Sequence, residues 1–147
     1  MSSTHVQIEC EKWIVDSWLP NRYKMPFRKQ KMSMQGRGVF EFDAVSIDNN
    51  IIGNISTAPA FTYRGSIASG KKSKLRADCL MLVLGSAEKK LMILTESSMH
   101  ELALKEQSEG RLPLDIEICL AKLPDDLKQK LIASRDDASL EVRGNAK

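Results

Sequence analysis

No stretch of this sequence approaches the roughly eighteen consecutive apolar residues that a membrane-spanning helix needs. Its first residues also show no basic start followed by an apolar run. Both absences lead us to expect a cytoplasmic protein with no membrane partner. Cysteine is scarce too: Cys10, Cys79 and Cys119 lie far apart, in segments that also carry apolar residues. That spacing fits neither a disulfide framework nor a zinc site, and it reads as three buried thiols. There is no internal repeat and no low-complexity segment. Acidic residues are missing from one long stretch, Arg22 to Arg37, which holds Arg22, Lys24, Arg28, Lys29, Lys31 and Arg37.

The chain has 147 residues, 42% of them hydrophobic and 28% charged, the balance of an ordinary globular protein. This length fits a single domain, residues 1–147, able to bury roughly two thirds of its unfolded surface. A net charge of +3 does not by itself imply nucleic acid. Its distribution says more, because a second basic group, Arg64, Lys71, Lys72, Lys74 and Arg76, follows the first, while acids collect in the C-terminal half from Glu106 to Asp137. Charge segregated in this way makes either a solvated face or a phosphate-facing surface. For the second, the candidate contacts are Arg28, Lys29, Lys31, Arg37, Arg64, Lys71, Lys72 and Lys74.

Thr4 with Gln7 forms a possible capping box, and Val6, Cys10, Trp13 and Ile14 recur at helical spacing, giving a helix from about Thr4 to Leu19 that Pro20 ends. A strand near 29–34 leads into the Gly36-Arg37-Gly38 turn. Val39 to Ile47 alternates as a strand, Asp48 to Asn50 turns, and Ile51 to Ala58 returns. After a long loop, 59–70, comes a short basic helix, 71–78, with Arg76 and Asp78 as an ion pair at its end. A fully apolar strand is expected over 80–84 and another in "LMILT". Ser97 or Ser98 caps a helix that Gly110 stops, a strand runs from Ile116 to Ala121, and Pro124 opens a last helix with Leu127, Leu131, Ile132 and Leu140 in one stripe. The expected architecture is α/β, a mixed sheet flanked by helices in the order αβββαββαβα.

In the hairpin "GVFEFDAVSIDNNIIGNISTA", Glu41 and Asp43 lie in apolar surroundings, while a third acid, Asp48, falls in the turn. With a two-residue Asn49-Asn50 turn, Asp48 pairs with Ile51 and Asp43 falls directly across from Ser56. Parity then gathers Glu41, Asp43, Asn54 and Ser56 on one face. The bland reading has Asp43 accepting a hydrogen bond from Ser56, with Glu41 solvated or paired to a base.

This arrangement resembles the restriction-endonuclease-like nucleases, whose PD-(D/E)xK motif places an aspartate on the second strand and an acid-x-lysine on the third. Their core is a helix, three antiparallel strands, a helix and further strands. Over roughly the first 95 residues the element order is similar; Asp43 matches the aspartate, and Asn54-Ile55-Ser56 occupies the acid-x-lysine position. The resemblance implies a nucleic-acid partner, DNA rather than RNA, and a possible homodimer or protein partner. In such sites Mg²⁺ or Mn²⁺ held by carboxylates neutralises the phosphate and a lysine assists the attacking water. Asn54 offers only a neutral oxygen and Ser56 no positive charge, so the expected function is nucleic-acid binding with a lost or rearranged metal site. An active nuclease would need Glu41 beside Asp43 as a metal ligand and a migrated lysine, Lys71, Lys72 or Lys74. The remaining reading is a protein-interaction subunit that never meets nucleic acid.

Other residues carry less. His5 and His100 are isolated and read as surface or capping groups. Ser69-Gly70-Lys71-Lys72-Ser73 has a loop-to-helix character suited to phosphate but lacks the full phosphate-loop pattern. Trp13 and Trp18 read as core and rim.

Overall fold

The computed structural model describes residues 2–34, 36, 38–61 and 69–145, with side chains described for 5–34, 36, 38–61 and 69–135. Helix α1 (Ser2–Trp13) continues through a π-helical turn (Ile14–Trp18) into α2 (Leu19–Tyr23), followed by β1 (Phe27–Ser33), β2 (Val39–Ser46) and β3 (Ile51–Ser56). Then come α3 (Ser69–Leu84), β4 (Lys89–Leu94), α4 (Ser97–Ser108), β5 (Ile116–Leu120) and α5 (Asp125–Asn145). The five strands form one mixed sheet in sequential order. The first three pair antiparallel, and β3, β4 and β5 run parallel. No helix among the described residues is long and apolar enough to cross a membrane.

Helices cover both faces. On one, Leu75, Cys79 and Leu82 of α3 and Met99, Leu102 and Ala103 of α4 pack on Phe42, Val45, Ile52, Met92 and Leu94. On the other, Ile14 and Leu19 meet Ala44, Ile51, Ile55, Leu91 and Ile93, and Cys10 meets Leu127 and Leu131 of α5. Each large side chain buried this way contributes about 1.5–3 kcal/mol. All three cysteines are free and buried.

Several expectations are corrected. The apolar run 80–84 is the end of α3, not a strand, so the order is ααβββαβαβα, with one strand fewer than expected. A short apolar run does not distinguish a buried strand from the buried side of a helix. Here Leu75, Cys79 and Leu82 recur at helical spacing and face the core, while Leu80 is 56% exposed. Gly85 ends the helix, its N–H shared between Met81 O and Leu82 O. The first helix passes Pro20, because the Leu19 N–H reaches back to Ile14 O across the π-helical turn, placing Pro20 in the first turn of α2 where no N–H is needed. Since α1 already begins at Ser2, Thr4 lies inside it and does not cap it.

The turn after β2 also differs. Asp48 does not pair with Ile51: its Oδ1 accepts from Ser46 Oγ (2.6 Å) and the Asn50 N–H (3.1 Å), and Ser46 Oγ accepts the Ile51 N–H (2.9 Å). Asn49 adopts φ +62°. An Asx-type turn of four residues, 47–50, therefore replaces the two-residue loop. At α4 the N-cap is Glu96, and neither serine caps; Ser98 Oγ accepts the Ala60 N–H instead. Gly110 at φ +80° closes the other end, with the Arg111 N–H bonded to Glu106 O. In α5, Leu127 and Leu131 are buried and Ile132 is 38% exposed. Arg37, Arg64, most of the loop 59–70 and the side chain of Leu140 lie outside the described residues.

Candidate functional site

The hairpin register decides where the polar groups fall. Ala44 pairs with Gly53 and Val45 with Ile52. On the other side of β2, Arg28 faces Val45 and Gln30 faces Phe42, so three steps along β2 match two along β1. The extra residue is a β-bulge at Asp43 and Ala44, and it reverses the in–out alternation. Phe42 and Val45, three apart, consequently join the same core under α3 and α4, while Ala44 joins the opposite one.

This bulge breaks up the expected one-face cluster. Asp43 lines a groove against α1 with Ile8, Lys12 and Val15, whereas Ser56 lines a hollow of about 100 Å³ against α3 with Gly70, Lys71, Lys74 and Asp78. Ser56 pairs with Leu94 of β4, and its Oγ accepts the Ala58 N–H at 3.3 Å; it does not touch Asp43. Asp43 instead accepts the Ile55 N–H on Oδ2 at 2.8 Å, and its own N–H points at Asn54 Oδ1, 3.5 Å away. Side chains thus take over from the ladder where β2 and β3 part. Asn54 is 2% exposed and donates from Nδ2 to the Asp78 carbonyl at 3.0 Å, tying β3 to α3.

Charge converges on this opening. Asp43 is half-buried. Burial pushes its carboxyl above the usual range, opposed by the Ile55 N–H and by the charges of Lys29 and Lys74, and reinforced by Asp78. Glu11 on α1 is raised as well, first by burial and then by Asp43. Lys74 bonds both Asp78 oxygens, at 2.8 and 3.0 Å, one helical turn apart. Arg76 does not pair with Asp78; it bonds Glu106, a 2%-exposed carboxylate that Arg111 also contacts.

The expected site residues separate accordingly. Glu41 is exposed and pairs with Lys29 at 3.8 Å. Lys74 bonds Asp78, and its charge also favours the ionised form of Asp43. Lys71 donates to Phe61 O at 3.2 Å, and burial, followed by Arg135, pulls its ammonium below the usual range. Lys72 lies in a different hollow, with Glu101, Lys105 and Glu109. Arg28, Lys29 and Lys31 are exposed along β1.

Sequence reading passed over Glu11, Lys12 and Asp78 as members of this region. The signals were present: Glu11 sits between buried Cys10 and Ile14, and Lys74 precedes Asp78 by the four residues of a helical pair.

A divalent ion does not fit these donors. Among the described residues no three of His, Cys, Asp and Glu come together as a metal-holding group. Asn54 uses its oxygen on the Asp43 N–H, and Glu41 is turned to Lys29. Mg²⁺ gives up its waters reluctantly and is held through one or two carboxylates, and of the expected residues only Asp43 offers one here, already committed on Oδ2 to the Ile55 N–H. The arrangement can instead present cations around a fixed acceptor. Compared with protein-family models, with curated proteins and with solved structures, the chain matches none of them.

Proposed function

We propose that this chain binds nucleic acid, DNA in preference to RNA, on the scaffold of the restriction-endonuclease-like nucleases but without their metal centre. The observation that carries the reading is Asp43. It sits on the second of three antiparallel strands, where the hairpin opens, and the charges of Lys29 of β1 and Lys74 of α3 oppose the effect of burial on its carboxyl. The α1–α2 segment, three antiparallel strands, α3 and β4 come in succession around it, which supports the reading. Asn54 and Ser56, which by sequence position match the acid and the lysine of that motif, are both engaged in structural hydrogen bonds. Binding on this reading is phosphate contact by exposed Arg28, Lys29 and Lys31, largely independent of sequence and weakened steeply by salt.

Titrating labelled duplex DNA at low and at physiological salt tests this directly. We expect binding at low salt that falls with added salt and falls again in an Arg28→Glu, Lys29→Glu variant. Absence of binding at low salt, to the duplex and to either of its separated strands, removes the reading. With Mg²⁺ or Mn²⁺ added, cleavage that Asp43→Ala abolishes would replace it with an active nuclease using Glu41, Asp43 and Lys74. A clean nucleic-acid assay beside a stable homodimer would favour an interaction subunit.

A further inference from the structure

The groove between α1, the π-helical turn and the β1–β2 pair encloses about 300 Å³ and has a character of its own. Its walls are Ile8, Val15 and Phe27, its rim carries three cations, Lys12, Arg28 and Lys29, and one acid, Asp16, and Asp43 is the one polar lining residue that is not exposed. Ile8 is left 57% exposed although it belongs to an apolar wall. Arg28 bonds the Gln30 amide oxygen and has no carboxylate within 4 Å among the described residues. Lys12 and Lys29 hold Asp16 and Glu41 only at 3.6 and 3.8 Å, loose and exposed pairs that cost little to separate. Asp43 is fixed in orientation by the Ile55 N–H on Oδ2, while Oδ1 accepts no hydrogen bond from the described residues. One wall is built on the π-helical turn, a widened geometry that recurs at functional sites.

We propose that this groove accepts one unpaired base of a single nucleic-acid strand, which rests on the nucleic-acid reading above and names the form of strand preferred. The ring lies between Ile8, Val15 and Phe27, an N–H on its edge donates to Asp43 Oδ1, and the flanking phosphates meet Lys12, Arg28 and Lys29. A base has two apolar faces and an edge of N–H donors, the complement of apolar walls around a fixed acceptor. The phosphates on either side supply the negative charge that three loosely paired cations attract. In a duplex the faces are stacked and the edges paired, so a base must be extruded before it enters. The strand preference follows from that.

Fluorescence anisotropy with three probes of equal length tests it: a labelled single strand of mixed sequence, the same sequence as a blunt duplex, and a strand of abasic sugar-phosphate units. We expect the single strand to bind about tenfold more tightly than either of the others, the weight of roughly one sequestered base. The double variant Ile8→Gln, Val15→Thr should weaken single-strand binding about tenfold more than duplex binding, with circular dichroism unchanged. A duplex bound as tightly as the single strand, or an abasic strand bound as tightly as the natural one, overturns the groove assignment and leaves general nucleic-acid binding standing. No binding of any probe at low salt overturns both.

Discussion

Asp43 answers for both the acid's presence and its missing partner. The bulge leaves the Ile55 N–H without a ladder acceptor, and a carboxylate is the acceptor that reaches it. That service comes with desolvation, which holds the carboxyl above its ordinary value, as for Glu11 beside it. With a raised value the folded state binds more protons than the unfolded one, so this group's contribution to stability falls as pH rises from about 4 through the folded value. Asp43→Asn keeps an acceptor for Ile55 and removes the titration. Denaturant unfolding at a series of pH values should therefore show the variant gaining on the parent as pH rises towards neutrality. A variant uniformly weaker at every pH would refute the desolvation account. Glu106 has the opposite sign. Burial works against its charge, but Arg76 and Arg111 outweigh that and hold it below the usual range, so its contribution is present at neutral pH and lost as pH falls through its folded value. Glu106→Gln should lose about 1–3 kcal/mol at neutral pH and little in acid, read by the same unfolding series.

At the scale of elements, α3 is where sequence and structure diverge most. The residues 80–84 are apolar throughout, and the pattern of a covered strand was legible there; what distinguishes a helix is which of them face the core. Leu82→Ala should cost about 2–4 kcal/mol, whereas Leu80→Glu should change stability by less than about 0.5 kcal/mol. A strand buried on both faces would make both substitutions severe, so paired denaturation curves decide the matter. The hairpin was legible as two strands and a turn, since Phe40 and Phe42 alternate with Glu41 and Asp43 and Asn residues follow. Its register was not, because Asp48 folds back on Ser46 and Asn50, and nothing local announces the bulge.

For the whole molecule, the cysteines supply a simple measure of integrity. Burial raises Cys10 to about 11 and Cys79 and Cys119 to about 12, and all three are enclosed by packed helices and sheet. A thiol reagent at neutral pH should label none of them in the folded protein and all three after denaturation. Fast labelling of one in native conditions would expose a breach in that layer, and its identity would say which. α5 closes the molecule through Arg135, which bonds Glu96 at the entry to α4 and the Thr57 carbonyl just past β3.

The sequence by itself determined the α/β class of fold, the buried thiols and the segregation of basic residues, because composition and local periodicity carry those. Tertiary structure alone decided which face Asp43 occupies, that Lys71 turns to Phe61 and Lys72 to a separate hollow, and that Glu11 and Lys12 join the Asp43 region. A one-residue bulge and the docking of α1 and α3 on opposite faces set those positions, and both arise from packing between segments far apart in the chain.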